Sequence, residues 1–308
     1  MSLEDPIGII ELGDANLKCL IFKVDKNNSS KILSSTLTPS DGIKNNVVIN
    51  LSKATTAIRN AISSAEKKAN ISLKKINVVL EQPDFLCTKF SKHKKIDGSQ
   101  IYRSDIEFLL KEAKKQLVLN DKNQSIIHIF NHSYIVDGKI FIDEPINVFA
   151  NSLSHEMTFV TTSKNNIKNI NQVFNDCDIE IERLMSQTFS LGVKLLSRKE
   201  LQNGSILINL ESKKASIGLF KNLALLHSAT IPIGIDHISK DISKVFSLNS
   251  EESDFLKKNI NFLFESDNLF DENNYLKKEY FIQSKYRKIS KDLFFKVVKS
   301  RLDEYLSF

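Results

Sequence analysis

The chain has 308 residues, 41% hydrophobic and 26% charged, with a formal net charge of +6 and a pI near 9.0. That length holds more than one domain-sized core, and without an apolar run of about 18 residues no membrane-spanning helix is expected. Lysines are scattered through every segment, with no block of five like charges and no aromatic-interleaved basic patch, so the positive balance reads as a solvated surface rather than a nucleic-acid footprint.

The start, MSLEDPIGII, is acidic and lacks the basic flank and cleavage site of a signal peptide. Ile7 to Val24 then reads as two apolar runs, IGII and LKCLIFKV, around the polar stretch Glu11 to Asn16: a strand, a turn and a strand. Asp41-Gly42 is a turn. Ser52 opens a helix in which Ala54, Ala57, Ile58, Ala61, Ile62 and Ala65 recur at helical spacing, a small apolar face suited to close packing on a sheet. Ile76 to Leu80 is a strand of the buried type, and Gln82-Pro83-Asp84 ends it.

An inserted subdomain is expected after that punctuation. It begins with a strand, Phe85 to Phe90, and a helix opened by a capping box at Ser104-Asp105-Ile106-Glu107, with Ile106, Leu109, Leu110, Ala113 and Leu117 on one face. Asp137-Gly138 between alternating runs marks a hairpin, and Pro145 closes it. Leu153 to Thr162 is a returning strand, followed by a helix over Asn166 to Asn175, a strand over Ile179 to Leu184 and a helix over Gln187 to Ser197.

A second strand–turn–strand begins at Gly204. Ile206 to Ile208 and Ile217 to Phe220 flank the polar turn Glu211 to Lys214, and a third strand, Leu223 to Thr230, leads through IPIGIDH into a helix. Helices over Glu251 to Phe264 and Ser290 to Leu306 flank a polar loop from Glu265 to Asn274. Two such hairpins suggest a duplicated architecture with one hairpin per lobe. If the second lobe mirrors the first, a further strand and helix belong after Phe308, either outside this sequence or lost from the protein.

These residues carry a family resemblance. IPIGIDHISKDI resembles the pattern I-P-x-G-G-D-H-x-T-x-D-I of the bacterial cell-division protein FtsA, matching at Ile231, Pro232, Gly234, Asp236, His237, Asp241 and Ile242, with Ile235 for the second glycine and Ser239 for the threonine. The run from Ile127 to Thr162 is also similar: His128, Val136, Asp137, Gly138, Pro145 and Leu153 hold, while Asn147 and Ala150 replace two glycines. Glu251-Glu252 to Phe262 and Arg301-Leu302-Asp303-Glu304 look like further FtsA segments, in family order.

The resemblance implies an α/β, actin-like (ribonuclease H-like) fold of two lobes with an FtsA-type insert in lobe one. On that pattern residues 1–81 and 158–197 form the first lobe, 82–157 the insert, 198–242 the incomplete core of the second lobe and 243–308 its upper helical part. It also implies a cytoplasmic place at the inner face of the membrane at the division site, contacts with other division proteins through 82–157, and self-association into filaments. The C-terminal tail of the tubulin-like FtsZ would bind the upper helical part, with Lys291, Lys299 and Arg301 meeting its acidic residues. The family reaches the membrane by a C-terminal amphipathic helix, which this sequence does not include.

The family's ligands are ATP and magnesium, but the phosphate motifs are altered. The first, D-x-G-[ST]-[ST], reads Glu11-Leu12-Gly13-Asp14-Ala15; the second, D-x-G-G-G-T-T-D, reads Asn209-Leu210-Glu211-Ser212-Lys213-Lys214-Ala215-Ser216. Both aspartates and all three glycines of the second are gone, in a chain with only nine glycines where average usage is about 7%. Phosphate turns need glycine because backbone N–H groups must approach the anion without a Cβ between. Asp14 and Glu211 would bring negative charge to the phosphates, at a cost on the order of 1 to 4 kcal/mol per like pair at about 4 Å.

A vestigial site is therefore expected, with Glu11, Gly13, Asp14, Asn209, Glu211, Ser212, Lys213, Lys214, Gly234 and Asp236 at the nucleotide positions, Lys213 and Lys214 as its anion-attracting charges, and no resident cofactor or hydrolysis. His128 and His132 lack a third ligand, the three cysteines (Cys19, Cys87 and Cys177) stand singly as reduced thiols, and no metal is expected. His237 reads as a structural cap, and Ser186 and Ser190 have no nucleophile partners. The alternatives are an ATP-binding enzyme with a remodelled site, an actin-like scaffold of type IV pilus assembly, and a nucleic-acid binder.

Overall fold

The computed structural model describes residues 5–27, 29–260 and 269–307, and these divide into two compact units, 1–208 with 217–230 and 209–216 with 231–308. In unit 1, β1 (Ile7–Leu12), β2 (Asn16–Val24) and β3 (Ser30–Pro39) form an antiparallel meander. Two short strands, β4 (Ile43–Lys44) and β5 (Val47–Val48), precede helix α1 (Leu51–Ala69), and β6 (Lys75–Leu80) returns parallel to β1. With β11 (Glu180–Ser186) the sheet has the order β11-β6-β1-β2-β3, three antiparallel strands and two parallel ones, as a ribonuclease H-like lobe requires. The ten-residue β3 has no counterpart in the sequence reading, because its SKILSSTLTP is polar and mostly exposed.

The small-residue face of α1 lies where the spacing puts it: Ala54, Ala57, Ile58, Ala61, Ile62 and Ala65 are all buried. Its cap is Asn50 rather than Ser52; the Asn50 side chain accepts the Lys53 N–H at 3.0 Å. A second correction concerns helix α2 (Arg103–Asn120). Ser104 lies inside it, and the carboxylate that closes the first turn is Asp105, which accepts the Tyr102 N–H at 2.7 Å and holds Lys94 at 2.5 Å.

The insert forms its own sheet. Strands β7 (Leu86–Lys95), β8 (Gln124–Val136), β9 (Lys139–Phe141) and β10 (Ser152–Ser163) take the order β7-β10-β8-β9, with α2 packed on β7 and β10. The strand β10 is continuous past 157 and stays paired with β7 and β8 beyond it, so the sheet extends past the boundary read at 157. The β8–β9 turn places Asp137 at φ 47° and Gly138 at φ 81°, as an Asp-Gly hairpin demands. Asn147, one of the two residues standing for family glycines, sits at φ 64°, a left-handed conformation that asparagine tolerates better than other side chains.

Helices α3 (Lys164–Asn175), α4 (Gln187–Leu195) and α5 (Arg198–Asn203) follow, and then the second hairpin: β12 (Ser205–Leu210), β13 (Ala215–Lys221) and β14 (Ala224–Ile231), a sheet in that order. The stretch 198–242, read from the sequence as the core of a second lobe, is divided between the units. The physical reason is packing: Phe220 and Leu225 belong to the core of unit 1, and Gly192 is needed because a Cβ there would lie 2.1 Å from the Phe220 ring. Unit 2 holds α6 (Asp236–Phe246), α7 (Ser250–Asn259) and α8 (Lys291–Ser307), packed around Ile242, Phe246, Leu256, Leu276, Phe294 and Val298. Residues 261–264 of the helix expected over Glu251 to Phe264 lie outside the described residues, as does the first part of the loop expected from Glu265.

In unit 1 His155 is buried and His128 half-buried. His128 Nε2 accepts the Ser186 N–H at 2.9 Å, and His155, 1% exposed, stacks on Tyr134 with centroids 4.4 Å apart. Neither ring nitrogen of His155 has a hydrogen-bond partner. Burial pushes both imidazoles down to about 4, while the unfolded chain protonates them near pH 6.5. Below that pH the unfolded state binds the extra protons, so stability is intact at neutral pH and is lost as pH falls toward 4. Urea unfolding at pH 7 and pH 5 is expected to lose on the order of 2 kcal/mol per histidine, and His155→Phe is expected to remove about half of that loss.

Candidate functional site

The two phosphate-type hairpins are each tied up by their own neighbours. In unit 1, Gly13 is needed because a Cβ there would meet the Asn16 carbonyl at 2.4 Å. The carboxylate of Asp14 accepts the Asn46 N–H at 3.1 Å, and Glu11 pairs with Lys18 at 3.1 Å and accepts the Gln187 amide at 3.2 Å. Both acids therefore have donors within the unit.

Asn46 continues inward. Its side-chain oxygen accepts the Glu81 N–H at 2.9 Å, and its carbonyl accepts from Gln82 at 2.8 Å. Glu81 is wholly buried, and its carboxylate accepts from Ser186 Oγ (2.8 Å), the Thr188 N–H (2.9 Å) and Ser228 Oγ (3.0 Å). Gln82 accepts from Thr162 Oγ1 at 2.9 Å, and Asp84 accepts from Thr162, the Ser163 N–H and Asn166 at 2.9 to 3.2 Å. This polar network sits where the insert leaves the first lobe and returns to it. Sequence reasoning missed it, although Glu81-Gln82 directly after the apolar run INVVL is a signal: charge and amide at the end of a buried strand need partners.

In unit 2 the hairpin tip closes on itself. Asn209 donates to Glu211 at 2.9 Å, and Lys214, with its side chain only 11% exposed, lies 3.9 Å from the Glu211 carboxylate. Lys214 is thus a partner of Glu211 rather than the anion-attracting charge expected from the sequence, while Lys213 is exposed. The first amides of α6 are used inside the protein: Ile235 N–H goes to the Glu211 carbonyl and Asp236 N–H to the Ser212 carbonyl, both at 2.9 Å. A helix N-terminus presents anion-binding N–H groups only while they lack internal acceptors; these have them. Gly234 makes that approach feasible, since a Cβ there would lie 2.4 Å from both carbonyls.

The neighbours of Gly234 fix the same junction. His237 Nδ1 accepts the Gly234 N–H at 3.2 Å, Tyr305 Oη donates to the Gly234 carbonyl at 2.7 Å, and Lys257 pairs with Asp236 at 3.3 Å. The sequence suggested His237 as a structural cap; it lies inside the first turn of α6, whose N-cap is Ile235 with no side-chain cap hydrogen bond, and its ring meets the Gly234 backbone instead. Among the described residues no group of three metal-ligating side chains is present. Ser212 is exposed at the tip.

Arg301 departs from expectation. Its guanidinium forks onto Asp241, Nε to Oδ2 at 2.6 Å and Nη2 to Oδ1 at 2.9 Å, and its third nitrogen meets Glu304. The bidentate pair joins α8 to α6, so this charge is committed within unit 2 rather than offered to an acidic tail. Lys299 is exposed on α8, and Lys291 begins that helix.

Known proteins agree with this architecture. Residues 86–161 match the model of the SHS2 domain inserted in FtsA. The chain is 23% identical to FtsA of Neisseria meningitidis over 251 residues (82% of this chain, 60% of that protein), 26% identical to FtsA of Bacillus subtilis over 258 residues (82% and 57%), and 24% identical to FtsA of Streptococcus pneumoniae over 254 residues (81% and 54%). It therefore spans little more than half the length of these relatives. Among solved structures, a PilM–PilN type IV pilus biogenesis complex matches with TM-score 0.61 at 9% identity (100% of this chain, 75% of that one). MreB5 of Spiroplasma citri bound to ADP matches with TM-score 0.50 at 11% identity (98% and 76%). The fold is actin-like and α/β, and the chain is similar to FtsA over about four-fifths of its length, with residues 86–161 matching the SHS2 domain inserted in FtsA.

Two substitutions test the two junctions. Glu81→Ala strands three buried donors and is expected to lower stability by about 2 to 4 kcal/mol in chemical unfolding. Gly234→Ala forces the hairpin from α6; hydrogen exchange at the Ile235 and Asp236 amides is expected to rise by roughly tenfold or more, a loss of over 1 kcal/mol of local protection.

Proposed function

We propose that this protein is a cell-division adaptor of the FtsA type that does not hydrolyse ATP. It holds the C-terminal tail of FtsZ on unit 2 and engages other division proteins through the insert, at the inner face of the membrane at the division site, with self-association into filaments as a further property. The observation that carries the reading is the insert itself: residues 86–161 match the SHS2 domain of FtsA and fold as a separate four-stranded sheet with its own helix.

The chemistry of the hairpins supports the non-enzymatic part. Phosphoryl transfer depends on positioned carboxylates, a metal and backbone donors free to meet phosphate oxygens. Here Glu211 is held by Asn209 and Lys214, and the α6 amides are held by the hairpin carbonyls. For the tail, the Arg301–Asp241 pair supplies a rigid α8 surface, and Lys299 and Lys291 supply charge to an acidic peptide.

The test is fluorescence anisotropy with a labelled FtsZ tail peptide, beside a magnesium-dependent ATP turnover assay. Binding that Lys299→Glu weakens roughly threefold or more is expected, with no turnover above the protein-free control. Arg301→Asp is expected to weaken binding through the helix, and the exchange Arg301→Asp with Asp241→Arg to restore it, because the pair acts as a brace. Absence of peptide binding by the folded protein overturns the adaptor reading; magnesium-dependent turnover overturns the non-enzymatic one.

A further inference from the structure

Unit 2 carries a loop that neither the nucleotide reading nor the tail reading uses. Between Lys277 and Ser290 the chain has five cations and one carboxylate, Glu279, interleaved with Tyr280, Phe281 and Tyr286. The cations are spaced singly and in pairs, so no run of like charge marks the stretch in the sequence. Lys278, Lys285, Arg287 and Lys288 are exposed.

The loop is built rather than slack. Its base is closed by the Tyr275–Ser290 bridge and by the Leu276 N–H on the Ile289 carbonyl at 2.9 Å, with Leu276 and Ile289 both buried. Its far side is pinned by Glu252, a carboxylate 1% exposed. Glu252 accepts the Gln283 N–H (2.7 Å), the Ser284 N–H (3.0 Å), Ser284 Oγ (2.5 Å) and the Asn249 N–H (3.0 Å). Between these anchors Ile282 points into solvent, 79% exposed.

We infer that this loop is a docking site for an anionic phospholipid surface, with Ile282 entering the headgroup–acyl boundary and the surrounding cations meeting lipid phosphates. Charge complementarity selects an anionic partner, since each lysine or arginine near such a surface adds to the attraction. The exposed isoleucine selects lipid among anionic partners: it gains by leaving water for an apolar boundary, which a polyphosphate backbone does not provide. The aromatic rings point the same way. Single-stranded nucleic acid binds by stacking bases on open ring faces. Here Phe281 and Tyr286 cover each other edge to face at 5.2 Å, Tyr280 packs on Phe255, and Lys278 and Lys288 lie over the Tyr286 and Tyr275 rings. Because Glu252 fixes the backbone beside Ile282, the loop is already shaped before contact, and little conformational entropy remains to be lost on binding.

Co-sedimentation tests this with the full 308-residue chain on vesicles of phosphatidylglycerol mixed with phosphatidylcholine, against phosphatidylcholine alone. Sedimentation with the anionic vesicles only, weakening as salt is raised, is expected. Lys285, Arg287 and Lys288 changed together to Glu are expected to reduce it roughly tenfold or more, and Ile282→Ser by a smaller factor. The substituted residues are exposed, so thermal unfolding should be unchanged. As a readout without charge changes, Ile282→Cys carrying a polarity-sensitive dye is expected to shift to the blue on anionic vesicles. Equal sedimentation by the triple variant, no preference for anionic vesicles, an unshifted dye, or capture of polyglutamate without vesicle binding would each overturn the proposal. None of these outcomes depends on tail-peptide binding, so the two readings fail separately.

Discussion

Unit 1 depends on a buried carboxylate at the end of one of its strands. Glu81 lies at the end of a central strand, wholly out of water, and is held by two serine hydroxyls and a backbone amide. A buried charge is tolerated only when its oxygens find donors with good geometry. Those donors come from the β11–α4 turn and from β14, while Asn46 ties the same residue to the first hairpin and Gln82 to the returning end of the insert. One polar network therefore sets where the insert departs, where it returns, and where the first hairpin turns.

The turns of the two hairpins find their partners within their own units. Strand order and turn position follow the actin-like pattern, but the amides and charges that would meet phosphates are matched inside the protein. At the second hairpin Asn209 and Lys214 satisfy Glu211, while the tip carbonyls take the first amides of α6. Gly234 serves the contact between tip and helix.

The insert has its own sheet and its own helix, and unit 2 braces α8 against α6 with a bidentate arginine pair. Buried carboxylates act as fasteners in both units. Glu81 organises strand ends, and Glu252 shapes the basic loop, where its four donors hold the carboxyl at about 2 against the effect of burial.

Much of this was legible from local pattern. Periodicity gave the face of α1, alternation with Asp-Gly gave the β8–β9 hairpin, and the spaced residues of IPIGIDHISKDI carried the family. Such signals reside in neighbouring residues, and the backbone's two periods write them into the sequence. What the tertiary structure decided depends on partners far apart in the chain. Arg301 looked like a free charge until Asp241, sixty residues earlier, was found beneath it. Glu81 had no reading of its own until Ser186 and Ser228 arrived from other strands, and the backbone of the basic loop is held at 283 and 284 by Glu252, some thirty residues earlier. The reason is physical: burial and hydrogen-bond pairing are properties of distance in space, and a side chain's spacing along the chain does not specify which distant group will satisfy it.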